Sequence, residues 1–195
     1  MGTGWGQHEQ EAEMNGWSPP KITTDRLVIR PMTVGDLPAV NGFTTAYPAS
    51  RYGNWLGDTD PATVARYIAD TVARYGRPPR CDLGVIVDHQ LIGGIAFRQV
   101  WLSPPAMELG WVLHPKLTGQ GLASEALQAI LEYLTLAFPD LGRFEARVHS
   151  RDDRSQRVLE RLGFLAEGTL RGGLDAKGEV ADSVMFGMLR DEFTP

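Results

Sequence analysis

The chain has a single cysteine, Cys81, in 195 residues. That excludes an internal disulfide framework and fits a reducing compartment. Cys81 stands beside Asp82 and reads as a buried strand thiol rather than a nucleophile. A basic surplus is also lacking: 19 Lys and Arg face 24 Asp and Glu, a net charge of −5, which argues against nucleic acid as the main partner. No apolar stretch approaches the roughly 20 residues that a membrane span needs. Residues 1–20 carry Glu9, Glu11 and Glu13 but no lysine, arginine or apolar run, so they do not read as a secretory signal. They read as a disordered tail, with Trp5 and Trp17 open to docking on a partner subunit. Internal repeats, low-complexity blocks and dividing linkers are missing too. The expectation is a cytoplasmic protein with a tail over 1–20 and one domain over 21–195, long enough to bury a core.

What is present is a regular alternation of elements. Residues 22–30 read as a strand that Pro31 stops. Thr33-Val34-Gly35-Asp36 resembles a capping box before a short helix begun by Leu37 and Val40. Residues 44–59 form an irregular aromatic stretch with Tyr47, Tyr52 and Trp55. Asp60 and Pro61 then open a helix carrying Val64, Tyr67, Ile68, Val72 and Tyr75 at helical spacing. Two apolar runs around Asp88-His89-Gln90 predict a hairpin, and Met107 to Leu113 a third strand with Met107, Leu109, Trp111 and Leu113 on one face. A helix follows with Ala123, Ala126, Leu127, Ile130 and Leu134 as its buried stripe. A strand at 144–148, a helix lined by Ser155, Val158, Leu159 and Leu162, and strands at 164–170 and 180–189 complete the chain. The last two are joined by turns at Gly172-Gly173 and Lys177-Gly178. This order implies an α/β (α+β) fold, a mixed sheet with helices on both faces.

The most informative segment runs from Leu113 through Gly119-Gln120-Gly121 into the helix at 122–134. Two glycines admit a ligand close to the backbone, and the first N–H groups of the helix have no internal partners. Together with the helix dipole they make a phosphate site. The turn lacks the Gly-Lys-Ser/Thr of a P-loop and the Gly-x-Gly-x-x-Gly of a dinucleotide fold.

Four segments give this turn its context: Thr24-Asp25-Arg26-Leu27-Val28-Ile29-Arg30-Pro31, Met107-Glu108-Leu109-Gly110-Trp111-Val112-Leu113-His114-Pro115, Gly119-Gln120-Gly121-Leu122-Ala123-Ser124-Glu125-Ala126-Leu127, and Ser155-Gln156-Arg157-Val158-Leu159-Glu160-Arg161-Leu162-Gly163-Phe164. In this order and spacing the chain resembles the GCN5-related N-acetyltransferase (GNAT) family, in particular the branch that acetylates ribosomal-protein N-termini. Glu167-Gly168-Thr169-Leu170-Arg171 and Asp182 add to the resemblance, which covers about residues 22–192.

The resemblance implies a sheet splayed between the 107–113 and 144–148 strands, acetyl-CoA as acyl donor and no metal. The pantetheine arm would bond the free strand backbone at Trp111, Val112 and Leu113. The pyrophosphate would sit on Thr118, Gly119, Gln120, Gly121, Leu122, Ala123 and Ser124. Two positions depart from the family pattern. Thr118 stands where Arg or Gln is usual, and Asp152 where Asn is common; Asp152 would have to point away from the cofactor or pair with Arg151 or Arg154. Arg157 and Arg161 either bind the 3′-phosphate and adenine end or belong to a solvated face balanced by Asp153 and Glu160.

Acyl transfer to an amine needs a base for the ammonium and a proton for the leaving thiolate. Glu108, opposite the apolar Leu109/Trp111 face, is the candidate base, against a reading as a solvent-facing carboxylate. Ser155 is the candidate acid, against a capping or packing role. His114 and His149, at strand ends, read as structural. Tyr47, Tyr52, Trp55 and Trp101 are the candidate walls of an acceptor pocket. The acceptor is a primary amine, a peptide N-terminus or a small molecule. A CoA-binding sensor without turnover and transfer of a longer acyl group are the alternatives, and a homodimer is the commonest assembly for such a chain.

Overall fold

The computed structural model describes residues 17–46, 60–75, 80–176 and 179–194. Eight strands form one sheet in the order β1-β2-β3-β4-β5-β6-β8-β7. They are β1 (Ile22–Thr23), β2 (Val28–Pro31), β3 (Arg80–Val87), β4 (Gln90–Leu102), β5 (Pro105–Leu113), β6 (Arg143–His149), β7 (Leu165–Ala176) and β8 (Glu179–Leu189). Every neighbouring pair is antiparallel except β5 with β6. A parallel pair needs a long crossover, and helix α3 (Leu122–Ala137) supplies it. Helices α1 (Leu37–Ala46) and α2 (Pro61–Arg74) lie between β2 and β3 in the chain, and α4 (Asp153–Arg161) between β6 and β7.

The two faces of the sheet are covered differently. Leu122, Ala126, Leu127, Ala129, Ile130, Leu131 and Leu134 of α3, with Leu159 of α4, close over Leu83, Ile95, Phe97, Met107, Leu109, Phe144 and Phe186. A smaller cluster of Val40, Val64 and Ile68 joins α1 to α2 and takes in Leu91, while the adjacent Ile92 belongs to the main core. In the regular part of β3, Asp82 meets Tyr67 of α2 while its neighbours Cys81 and Leu83 face the main core; successive strand residues point to opposite faces, so α1 and α2 lie across the sheet from α3. The α3 stripe differs from the expected one: Ala123 is only half-buried, whereas Leu122, Ala129 and Leu131 are buried beside Ala126, Leu127, Ile130 and Leu134.

Local chemistry sets several boundaries. Asp60 caps α2 by accepting from Thr63 N at 3.1 Å, with Pro61 in the first turn. Asp36 accepts from Thr33 N at 2.7 Å, the expected capping box. The strand expected over 22–30 is instead two short strands around a turn at 24–27. Thr24 N donates to Leu27 O, and Leu27 N donates to Thr24 Oγ1 at 3.0 Å, a side-chain bond that competes with extended backbone. Gly172-Gly173 is no hairpin turn. It lies inside β7, where the register against β8 shifts between Leu170 and Leu174 and Gly172 takes φ +61°. Val112 is buried too, so β5 is covered on both faces.

Trp17 packs within its own chain: Nε1 donates to Tyr133 Oη at 3.0 Å, and the ring meets Phe97 edge-on. Cys81 is buried in β3, where burial and then the Asp82 charge push its thiol up to about 12. It is an inert core group. Among the described residues no helix is long and apolar enough to cross a membrane, and no cluster of His, Cys, Asp or Glu is arranged to hold a metal.

Candidate active site

The site is built on the parallel pair. β5 and β6 pair from Ala106↔Arg143 to Leu109↔Ala146 and then part. Beyond that point each strand keeps its other neighbour. β5 stays on β4 as far as Leu113↔Gly93, and β6 on β8 as far as His149↔Ser183. Each half-sheet follows its own partner, and a wedge opens between them. Gly110, Trp111, Val112 and Leu113 therefore present an edge to the wedge with no strand partner on that side among the described residues, a set of amide donors and acceptors. This is the expected splay.

The wedge leads to the glycine turn. His114 begins a single 3-10 turn over Pro115–Leu117, and Thr118, extended and exposed, donates from its backbone N to Pro115 O. Gly119 and Gly121 adopt φ +84° and +79°, the left-handed region, and Gly121 starts α3. The first helical bond is Glu125 N to Gly121 O at 3.0 Å. The N–H groups of Leu122, Ala123 and Ser124 consequently have no partner within the helix. Among the described residues Ser124 Oγ is buried without a hydrogen-bond partner.

A clasp behind the turn was not anticipated from sequence. Arg26 Nη1 donates to Gln120 O at 2.8 Å, Arg26 Nε to Glu125 Oε2 at 2.6 Å, and Thr24 Oγ1 to Glu125 Oε1 at 2.5 Å. A bare carboxylate in the first turn of α3 would repel phosphate, and Arg26 neutralises it. Burial alone would raise the Glu125 carboxyl, but the bonds from Thr24 and Arg26 outweigh it and hold it below its ordinary value of 4.5. A depressed carboxylate stabilises the fold above its unfolded value, and that contribution is lost as pH falls through the lower folded value. The unfolding-midpoint gap between wild type and Glu125→Gln should therefore be full at neutral pH and shrink below about pH 4.5. Parallel thermal scans from pH 7 to 3 check this, and a gap constant over that range removes the ionic clasp.

On the face shared with α1 and α2, Glu108 lies between Arg98 of β4 and Glu145 of β6 in register. Arg98 donates to Glu108 Oε2 through Nε at 2.8 Å and Nη2 at 2.6 Å. Both bonds fall on one oxygen, which leaves Oε1 for an acceptor. Glu108 is thus held by an arginine rather than simply facing solvent.

Ser155 and Asp152 lie beyond the end of β6, at the start of α4. Ser155 Oγ donates to Asp152 Oδ2 at 2.7 Å, and Ser155 N donates to Oδ1 at 3.2 Å. Asp152 is therefore the cap of α4 and engages neither Arg151 nor Arg154, one of the two alternatives the sequence leaves for it. A cap bond is local, within three residues, and outcompetes long exposed side chains. No bond joins Ser155 to Glu108. Arg157 and Arg161 lie on the exposed face of α4, Arg161 Nε donating to Arg157 O at 3.0 Å. Among the described residues neither makes an ion pair with Asp153 or Glu160. His114 and His149 play matching parts: each Nδ1 accepts a backbone N–H two residues on, from Lys116 at 3.2 Å and Arg151 at 3.0 Å. Burial and then the Lys116 charge hold His114 below the usual histidine range.

Trp101, at the end of β4, is exposed on the Glu108 face. Tyr47, Tyr52 and Trp55 lie outside the described residues. An open cleft of about 450 Å³ between α1 and the β3–β4 turn is lined by Arg30, Asp36, Phe43, His89, Leu91 and His114, and no other residue of the wedge or the glycine turn borders it.

Residues 26–165 match the family described as the acetyltransferase (GNAT) domain. Over 174 residues the chain is 28% identical to N-acetyltransferase p20 of Bacillus licheniformis, covering 88% of this chain and 97% of that protein. A segment of 87 residues is 31% identical to the ribosomal-protein-serine acetyltransferase of Escherichia coli, 45% of this chain and 48% of that protein. The fold is shared with RimL, a ribosomal L7/L12 alpha-N-protein acetyltransferase solved with coenzyme A. The TM-score is 0.77 at 19% identity, over 88% of this chain and 98% of that one.

Proposed function

The chain belongs to the GNAT acetyltransferase family, and on that premise we propose that it transfers an acetyl group from acetyl-CoA to a primary amine, with a peptide N-terminus as the acceptor class. The observation that carries this reading is the parting of β5 from β6 after Leu109↔Ala146, with the wedge running into a left-handed glycine turn at the head of α3. The residues fit the donor. Trp111, Val112 and Leu113 offer edge amides to its pantetheine arm, and Gly119 to Ser124 offer N–H groups to its pyrophosphate. Thr118 contributes backbone rather than a long side chain, and Arg157 and Arg161, exposed on α4 and without an ion pair among the described residues, are the cations for the 3′-phosphate.

Bound acetyl-CoA supplies an activated carbonyl carbon. Glu108 takes the ammonium proton through Oε1, leaving a neutral amine, while Arg98 keeps the carboxylate in place. Ser155 is the hydroxyl on the α4 side of the wedge, and turning its proton from Asp152 toward the wedge makes it the acid. Orientation of both reactants adds roughly 7–11 kcal/mol where the alignment is close. The peptide acceptor is supported by the ribosomal-protein names of relatives, and the composition supports a cytoplasmic setting.

Titration calorimetry with acetyl-CoA, free CoA and succinyl-CoA tests the donor site. Binding of acetyl-CoA at about 100 μM or tighter, about −5.5 kcal/mol, is expected. Thiol release with peptide amines then tests turnover. Absence of binding heat and of any thermal shift would remove the enzyme reading, and binding without turnover would favour the sensor.

A further inference from the structure

Beside the half-buried Glu108, on the same face, lies a buried carboxylate that the reaction above leaves unused. Glu145 is 8% exposed, whereas Trp101 is 60% exposed. The two are joined: Trp101 Nε1 donates to Glu145 Oε1 at 3.1 Å. An indole with that much surface in water needs no protein partner for its N–H, so the bond serves to fix the ring. Its cost, a desolvated carboxylate, is offset by Arg143, whose Nε lies 2.9 Å from the same oxygen as an ion pair without hydrogen-bond alignment. Arg143 is itself held by Glu167 at 2.7 Å, over Gly187, where a Cβ would run into both side chains.

Backbone geometry aims Trp101 at this spot. Arg98 shares a face with Glu108 and Glu145 through the register. Three residues further along a regular strand, Trp101 would point to the opposite face. The register shifts between Gln99 and Trp101, so that Gln99 pairs with Met107 and Trp101 with Ala106. The bulge returns Trp101 to the Glu108 face, and the small Ala106 side chain lets the indole reach across to β6.

We propose that Glu145 is a positioning residue for acceptor recognition: through the indole N–H it holds Trp101 as an aromatic platform beside Glu108, on which the apolar side chain next to the acceptor's amine packs. The inference rests on the acyl-transfer reading for what Glu108 does. The chemistry of the patch selects the acceptor. Arg98, Glu108, Arg143, Glu145 and Glu167 are engaged with one another, which leaves the ring as the uncommitted surface, and that surface is apolar. An α-amine with a leucine- or phenylalanine-like first side chain places its charge at Glu108 and its apolar group on Trp101.

The test uses the full chain labelled with 15N at its tryptophan indoles, the Trp101 resonance being assigned with Trp101→Phe. Glycinamide, leucinamide, phenylalaninamide and argininamide are titrated in turn. The Trp101 signal should saturate with phenylalaninamide at roughly five- to tenfold lower concentration than with glycinamide, the gain of one aromatic contact. Glu145→Gln, which retains an acceptor oxygen, should keep that preference. Glu145→Leu should abolish it and move the Trp101 signal to that of a solvated indole, with acetyl-CoA affinity unchanged. In turnover the same variant should raise KM for the apolar amide while kcat holds. A Trp101 signal that ignores all four amides, or follows argininamide more strongly than phenylalaninamide, overturns the proposal, as does a preference that survives Glu145→Leu. Should Glu145→Leu not fold, Trp101→Ala at its exposed position decides: loss of the phenylalaninamide preference in KM or in calorimetry upholds the platform, and retention overturns it. A Trp101 response without acetyl transfer refutes the enzyme reading alone, and transfer without a Trp101 response refutes the platform alone.

Discussion

Gly121→Val should weaken acetyl-CoA binding about tenfold. Gly121 opens α3 at φ +79°, and an L-residue held in that region costs roughly 1–2 kcal/mol, more for a β-branched side chain. Crowding is not the source, because a Cβ there would meet only Arg26 Nη2 at an ordinary 3.5 Å. The free protein escapes the strain by letting the turn relax, so the cradle becomes a minority conformer. Apparent affinity then falls by the lost population, a factor of about 5–30 for that energy. Gly121→Asn, which tolerates the left-handed region, should recover most of the loss. Calorimetry on the three proteins decides the point. If valine binds acetyl-CoA as glycine does, the turn is not the phosphate cradle.

The second large effect is on chemistry rather than binding. Glu108→Gln should lower kcat by about 10²–10⁴-fold, the usual contribution of a positioned base, with donor affinity unchanged. Glutamine matches glutamate in shape and can still accept the two Arg98 bonds through one oxygen, so the strand pair and its stability should persist. What it cannot do is take a proton from the ammonium. Stopped-flow or thiol-release assays at saturating acetyl-CoA, beside calorimetry of donor binding, separate the two effects. Undiminished turnover would strip Glu108 of the base role and leave it a structural partner of Arg98.

The expectations that held were those written in short-range chemistry. Thr33 to Asp36 and Asp60-Pro61 mark helix starts because a cap is made within three residues, and the α3 stripe is visible because its period is fixed by the helix. Alternation predicts one strand over 22–30, but Thr24 offers its own hydroxyl to Leu27 N, a competing local bond that alternation does not reveal. For Asp152 the sequence leaves open a turn away from the cofactor or a pairing with Arg151 or Arg154, because charge is visible in a sequence and capping geometry less so; its partner is Ser155.

By itself the sequence determined most of the element types, the glycine turn at the head of α3, the identity of the candidate base and the family resemblance, since each depends on neighbours along the chain or on a spaced motif. Tertiary structure alone decided which side chains meet across strands. Arg26 reaches Glu125 from 99 residues away, and Arg98 meets Glu108 only through the β4–β5 register. Trp101 joins Glu145 because one bulged residue turns it to the other face. A shift of one residue in register reverses every side chain beyond it, and nothing local in the sequence fixes that count.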